Sequence, residues 1–472
     1  MPRQIRKDAI DVWTAGLDSV RARPLVKRWI KRQGDQLHIG DSSFRATDFD
    51  RVVVVGAGKA GSAMAQGLID QLDGWRPIVG WVNVPEGTET PCKQIVTHPA
   101  RPAGVNEPTE DGVEGTRMIL DMVRTAQPRD LCIALISGGG SALMPAPAEG
   151  VSLDDKLQVT RYLSGAGADI IELNTVRKHL SRVKGGGLLR AFRGKHLITM
   201  ILSDVLGDPL DQIASGPTVP DTTNPIDALK IIERYDSNES LPNSIRQTLE
   251  LKCDRDAAPL HNEPPAAHEN FVIGNNATAV EASAARATHL GYEVETFSAK
   301  ASEGVAEQIG CDLANQAIRY LKSNQNPRST QDSKGGQSGA SPMALIHGGE
   351  PTVVLCPQEL RGLGGRNQQL VLAAYQTLRD ANLGDVEWSR LCVLSAGTDG
   401  EDGPTNAAGA FIDREVHQRA EELGLSPATY LERNDAYHFF EQVGGLLVTG
   451  PTGTNVCDVR VAIIDSMARP GC

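Results

Sequence analysis

The stretch VVVVGAGKAGSAM, residues 52–64, constrains the fold more than any other part of the chain. Consecutive β-branched residues with no polar alternation read as a strand covered on both faces, which is the condition of a parallel sheet. The run breaks into Gly56, Gly58 and Gly61 around Lys59 and continues as a small, apolar helical pattern. A strand that passes through glycines into a helix is the opening of a βαβ unit.

The same rhythm recurs along the chain. Apolar, β-rich runs at 52–55, 78–84, 131–137, 197–203, 271–274, 293–298, 343–348, 391–395, 444–449 and 459–464 alternate with helical spacing. Alternation of this kind predicts an α/β fold. At 472 residues the chain exceeds one ordinary core, so it is read as two Rossmann-like α/β domains with largely parallel sheets and an active-site cleft between them. Two polar, Pro-containing stretches interrupt the rhythm, 253–271 and 322–342. The first is read as the interdomain linker, giving domains 1–260 and 261–472; the second is read as a surface loop within the second domain.

A net charge of −12, with both signs mixed along the chain, disfavours nucleic acid and acidic membrane as partners. The aromatic residues, 4% of the chain and unclustered, offer no base-stacking surface. The eight cysteines form no CxxC pair, and Cys132, Cys356 and Cys392 lie in or beside apolar runs. Such usage suits reduced core thiols of a cytoplasmic protein. No apolar run approaches the roughly 18 residues of a membrane span. The basic start contains Asp8, Asp11 and Asp18, and Ile10, Trp13, Leu17 and Val20 follow helical spacing, so it is read as a docked helix and not as a transit peptide.

Function is concentrated where the strands end, in VGAGKAGS, ISGGGSAL, LSDVLGD, IGNNAT, HGGEPT, SAGTDGEDG and VTGPTGTN. Beyond the carboxyl ends of parallel strands, glycines allow backbone N–H groups to approach an anion. Ser137, Gly138, Gly139, Gly140 and Ser141 form one such turn, suited either to cradling phosphate or simply to a tight bend. The basic segment NTVRKHLSRVKGG (174–186) reads equally as a phosphate-facing or a solvated helix. Asp204 follows directly on a strand and is placed to hold Mg²⁺ or to take a proton from a hydroxyl. In the second half, Glu350 and Asp399 end strands among glycines as candidate metal ligands, and Arg366 opens a helix after a Gly pair. Asn455 after GPTG fits a ligand contact or a turn. His98, a lone histidine before a proline, fits a structural loop as well as a site. No Walker A loop, HExxH or GxSxG occurs.

Taken together, VVGAGKAG, ISGGGSAL, NTVRKHLSRVKGG, LSDVLGDPLDQIASGPTVPD, GGEPTV, GLGGRNQ, SAGTDGEDGPT and TGPTGTNV resemble the class II glycerate 2-kinases, whose N-terminal region precedes a MOFRL domain. The resemblance implies ATP-dependent phosphorylation of D-glycerate at its 2-hydroxyl, with Mg²⁺; the chain is expected to be a monomer or homodimer. It implies a basic catalytic pair, Lys59 and Arg366, with Asp204 beside them. Gly56, Gly58, the 137–141 turn and Asn455 would bind substrate or ATP, and Glu350 and Asp399 would place the metal. Lys59 and Arg366 would then lie in different domains, whose closure completes the site. The chain departs from the family pattern in THPARPAGVNEP, at Asn406 where Asp is frequent, and at Cys457 where a polar residue is usual.

Two other readings compete. Gly56-x-Gly58-x-x-Gly61 after a strand is also a dinucleotide fingerprint, as in an NAD(P)-dependent hydroxypyruvate reductase. That site needs an acid about 20 residues on, whereas the first acid after the second strand is Glu86, about 30 residues beyond Gly56. A non-catalytic sugar-phosphate or nucleotide sensor would use the same turns, but would not call for so many strand-end acids beside bases.

Overall fold

The structure, a computed structural model, describes residues 4–102, 104–105, 107–238, 240–256, 266–323 and 341–465. They fall into two compact units, Ala22–Ile273 and a second made of the residues up to Arg21 together with those from Gly274 onward.

The first unit begins with a small antiparallel meander, β1 (Ile30–Gln33), β2 (Gln36–Ile39) and β3 (Ser42–Arg45). Its main sheet holds β4 (Arg51–Ala57), β5 (Ile78–Pro85), β6 (Ile95–Arg101), β7 (Asp130–Ile136), β8 (His196–Leu202) and β9 (Ala267–Gly274) in the order β6-β5-β4-β7-β8-β9. The pairings β4–β5, β5–β6, β4–β7 and β7–β8 are all parallel. From β4 the chain adds strands outward in one direction and from β7 in the other, so the topological switch lies between β4 and β7. Ligands of open parallel sheets bind beyond the carboxyl ends at such a switch. The reason β4 and β7 are central is visible in burial: Val52–Val55 and Leu131–Ile136 are at most 1% exposed.

The second unit's sheet runs β10 (Glu293–Ser298), β11 (Met343–Gly349), β15 (Asp458–Ile464), β12 (Leu391–Gly397), β13 (Gly409–Ile412), β14 (Leu446–Leu447). Here the expectation of a largely parallel sheet is corrected. Only β10–β11 is parallel, and the other four pairings are antiparallel. The final strand inserts between β11 and β12 in the reverse sense, and β13 follows β12 without the crossover helix that a parallel pair requires. An apolar run encodes a buried strand but not its direction.

The unit boundary also differs from 260/261. Residues 267–273 run as a strand beside β8, so the first unit extends to the end of β9. Within the expected linker, residues 253–256 finish the helix Asn243–Asp256, and 257–265 lie outside the described residues. Most of the loop at 322–342 lies outside them too. The N-terminal segment is a helix, Ile5–Ser19, and it belongs to the second unit. It buries Ala9, Val12, Trp13 and Leu17, and the Trp13 indole donates to the Ala396 carbonyl at 3.3 Å.

Several strands were not legible as such. β6 contains His98 and Pro99 and reads as a loop, yet it is the edge strand of the sheet, the place where proline is tolerated. The His98 ring packs on Trp81 at 5.1 Å and its Nε2 lies 2.9 Å from the Asp111 carbonyl, so it has a structural role. Among the described residues no helix is long and apolar enough to cross a membrane.

Candidate active site

Because β4, β7 and β8 are parallel, their carboxyl ends lie on one edge. That edge brings together the turns at 56–61 and 137–141 and Asp204. The two turns are stitched to each other. Lys59 N donates to the Gly138 carbonyl (2.8 Å), Ser137 N to the Ala57 carbonyl (3.2 Å), and Ala60 N to Ser137 Oγ (3.1 Å). Gly58 has φ +151°, and a Cβ there would stand 2.0 Å from Ser137 Oγ; only glycine lets the turns approach this closely.

The stitching revises what the first turn offers. The N–H groups of Gly58, Lys59, Ala60 and Gly61 are bonded to Asn83 O, Gly138 O, Ser137 Oγ and Gly58 O. Gly56 packs against β7, since a Cβ there would meet the Leu135 carbonyl at 2.2 Å. The turn therefore presents the Lys59 side chain to the edge, and its backbone donors face inward. A Cβ at Gly139 would lie 3.7 Å from Lys59 Cγ and 3.3 Å from Arg101 Nη2, so two cationic side chains flank the second turn. Ser141 Oγ accepts from Arg177 Nη2 (2.8 Å) and Lys184 Nζ (2.6 Å), and stands 3.2 Å from Ser215 Oγ. The basic helix Ile170–His179 thus faces the turn. Asp204 is held in a short turn in which Ser203 Oγ donates to the Val205 carbonyl and accepts from Val205 N.

In the second unit, the antiparallel insertion of β15 creates a second edge. Asp458, the first residue of β15, is register-paired with Gly349 at the end of β11 and Gly397 at the end of β12. Glu350, Asp399 and Asp458 therefore converge, with Arg366 at the start of the helix Arg366–Asp380. Arg366 donates Nε to Asp458 Oδ2 (2.7 Å) and Nη2 to Asp458 Oδ1 (3.0 Å), a bidentate pair, while Nη1 reaches Glu350 Oε1 at 3.0 Å. Burial works to lower the Arg366 pKa, but the Asp458 carboxylate outweighs it, and the guanidinium ends above its ordinary range. A Cβ at Gly397 would lie 3.0 Å from Asp399 Oδ1 and 3.5 Å from Asp458 Oδ1, which puts both carboxylates beside one glycine.

Asp402 fixes the helix carrying Arg366. Its carboxylate accepts from Asn367 N (3.0 Å), Asn367 Nδ2 (3.2 Å) and Gln368 N (2.8 Å), so it caps the first turn. Burial pushes this acid up to about 7, against those donors. Asn455 makes a turn, its Oδ1 accepting from Cys457 N at 3.1 Å. Cys457, at φ +68°, directs its thiol to Glu350 Oε2 at 3.7 Å.

Residues 8–250 match a family described as a domain of unknown function, DUF4147, and residues 343–458 match the MOFRL family. A zebrafish (Danio rerio) protein named glycerate kinase is 36% identical, the match covering 96% of each chain. A Thermotoga maritima protein named D-glycerate 2-kinase is 34% identical, covering 98% of this chain and 99% of that one. The chain belongs to the glycerate kinase family. A solved structure of glycerate kinase from Thermotoga maritima superposes with a TM-score of 0.79 at 33% identity, covering 98% of this chain and 100% of that one.

Against this family background, three groups at the two edges were not singled out from sequence. Asp458 was hidden because it opens an apolar strand, DVRVAII, and is wholly buried. Asp402 lies inside an acidic loop whose members look alike in sequence. Lys156 stands between Leu153 and Val159 at helical spacing, on the buried face of Leu153–Gly165; that spacing was the available signal.

Proposed function

We propose that the chain catalyses transfer of the ATP γ-phosphoryl group to the 2-hydroxyl of D-glycerate, giving 2-phosphoglycerate and ADP. The observation that carries the reading is the match, over nearly the full length of each chain, to relatives named glycerate kinase and D-glycerate 2-kinase. The geometry agrees with it. Phosphoryl transfer passes through a loose transition state with charge on the equatorial oxygens, so it depends on fixed cations and alignment. Lys59 supplies a cation at the switch point of the first sheet. Arg366 supplies a planar one whose orientation is set by two bonds to a buried acid.

Asp204 takes the proton of the 2-hydroxyl as the oxygen forms its bond to phosphorus and the bond to the β-phosphate oxygen breaks. Glu350 and Asp399 would hold Mg²⁺. Both are partly exposed carboxylates at one edge, as a hard, oxygen-seeking cation requires. Bound there, Mg²⁺ would neutralise phosphate charge. Among the described residues no group of three His, Cys, Asp or Glu is placed to hold a metal ion.

The test is a coupled assay with D-glycerate, ATP and Mg²⁺, in which enolase converts the product directly and ADP is followed in parallel. A product that enolase accepts only after a mutase would place the phosphate on the wrong hydroxyl. NADH oxidation with hydroxypyruvate, without ADP release, would replace the reading with the reductase. Lys59→Ala is expected to fold and to lose most turnover; retained turnover removes Lys59 from the mechanism.

A further inference from the structure

The first unit contains a cluster of two buried lysines and a half-buried arginine that the phosphoryl-transfer scheme does not use. Lys156 is 7% exposed and Lys184 is 4% exposed, and Arg177 joins Lys184 on the Ser141 hydroxyl. Lys156 Nζ is buried and makes no hydrogen bond among the described residues. Arg177 acts electrostatically on both lysines, and Lys156 acts on Lys184. No carboxylate is among the groups that perturb any of the three. Lys178 provides an internal comparison. Adjacent to Arg177 and 6% exposed, it is paired with Asp211 (3.3 Å) and Asp221 (3.5 Å). Buried Lys178 is supplied with two acids, whereas among the described residues no carboxylate acts on Lys156, Arg177 or Lys184.

Buried cations are normally paired, because withdrawal from water is costly. Burial first, then the charges of Arg177, Lys252 and Arg182, push Lys156 down to about 7, and burial holds Lys184 well below the ordinary lysine range. The neighbouring backbone is held against preference as well. Ala214 (φ +50°) and Ser215 (φ +61°) are consecutive left-handed non-glycine residues, and they set Ser215 Oγ 3.2 Å from Ser141 Oγ. Such conformations persist where surrounding structure enforces them, and they cluster at ligand sites. Three cations and two hydroxyls beside the Gly138–Gly140 turn form a donor-rich site whose missing member is an oxyanion.

We propose that Lys156, Arg177, Lys184 and Ser141 form an oxyanion-binding subsite that receives the anionic end of one kinase substrate, either the hydroxy-acid carboxylate or a nucleotide phosphate. The identity of the ligand rests on the kinase reading; the existence of the subsite does not. The guanidinium suits planar or tetrahedral oxyanions alike, and the experiment separates the two sources.

In the first arm, KM is measured separately for D-glycerate and for ATP in Lys184→Gln and Lys156→Met. A rise of at least tenfold for one substrate, with the other within twofold, is expected and names the occupant. Equal changes in both KM values, or in neither, overturn the subsite. The second arm uses the wild-type chain and needs no turnover: reductive methylation of lysines, read by mass spectrometry, with inorganic phosphate, D-glycerate or ADP present. At least one of these should slow labelling of Lys156 and Lys184 severalfold relative to Lys178. Equal labelling with and without all three overturns the proposal, whether or not the variants fold. An enzyme inert toward D-glycerate in the enolase assay would refute the kinase reading alone, since protection by phosphate is read independently.

Discussion

Replacing Asp458 by asparagine isolates the device that aims Arg366. Asp458 is wholly buried, and both of its oxygens accept from Arg366, while Glu350 holds the third guanidinium nitrogen. Asparagine keeps the volume but turns one acceptor into an NH₂ that faces an arginine N–H. A hydrogen bond to a charged group is worth about 1.5–3 kcal/mol. The Arg366 side chain is 34% exposed, so water recovers part of the loss, and a net cost of about 2 kcal/mol is expected. The functional effect is larger. With Glu350 and a single amide oxygen holding it, the guanidinium shifts, and a displacement on the order of 1 Å lowers turnover by about 10²-fold. The enolase-coupled assay on Asp458→Asn should therefore show kcat reduced by about two orders of magnitude, with KM for both substrates nearly unchanged. Urea denaturation supplies the stability change on the same sample. A kcat within twofold of wild type, beside a measurable loss of stability, would show that the pair only holds the fold, and the aiming argument would fail.

The other predictions are as direct. Gly58→Ala sets a Cβ 2.0 Å from Ser137 Oγ and 2.7 Å from the Ser137 carbonyl at φ +151°, so the first unit should lose about 3 kcal/mol or more by urea denaturation; a cost under about 0.5 kcal/mol would contradict the stitched-turn geometry. Lys156→Met should be more stable than wild type near pH 6. In the fold Lys156 is pushed down to about 7 from its ordinary value of 10.5, so the charging penalty is complete below about pH 7 and fades as pH rises towards 10.5. Thermal melts of both proteins across that range should converge, and a gap that widens with pH would reject the assignment. Trp13→Ala should cost about 3–5 kcal/mol in the second unit, because the indole is 1% exposed and hydrogen-bonded; a negligible change would mean that the N-terminal helix is not docked.

How much of this was legible in the sequence depends on what each residue reports. β4 and β7 were legible because a strand covered on both faces must be apolar throughout, and their glycine turns follow from the need to bend directly into a helix. Lys59, Arg366, Glu350 and Asp399 were legible as strand-end or helix-start residues among glycines, which is a local pattern. Asp458 was not, since its importance arises from β15 running antiparallel between β11 and β12, a pairing that no local pattern encodes. The same insertion changed the second sheet from parallel to mixed and carried a third carboxylate to the edge where Arg366 needed a partner.

The basic segment at 174–186 makes the complementary point. Its periodicity is equally consistent with a solvated face and a ligand-facing one, and both readings turn out to apply to different residues. Lys178 is buried with Asp211 and Asp221 as a structural pair, while Arg177 and Lys184 turn to Ser141 with no acid. What separates the two fates is the position of acids that are 33 to 43 residues away in sequence. Charge type and spacing identify a cation that can bind an anion; only the fold decides whether the protein has already supplied that anion itself, and around Ser141 it has left the place to a ligand.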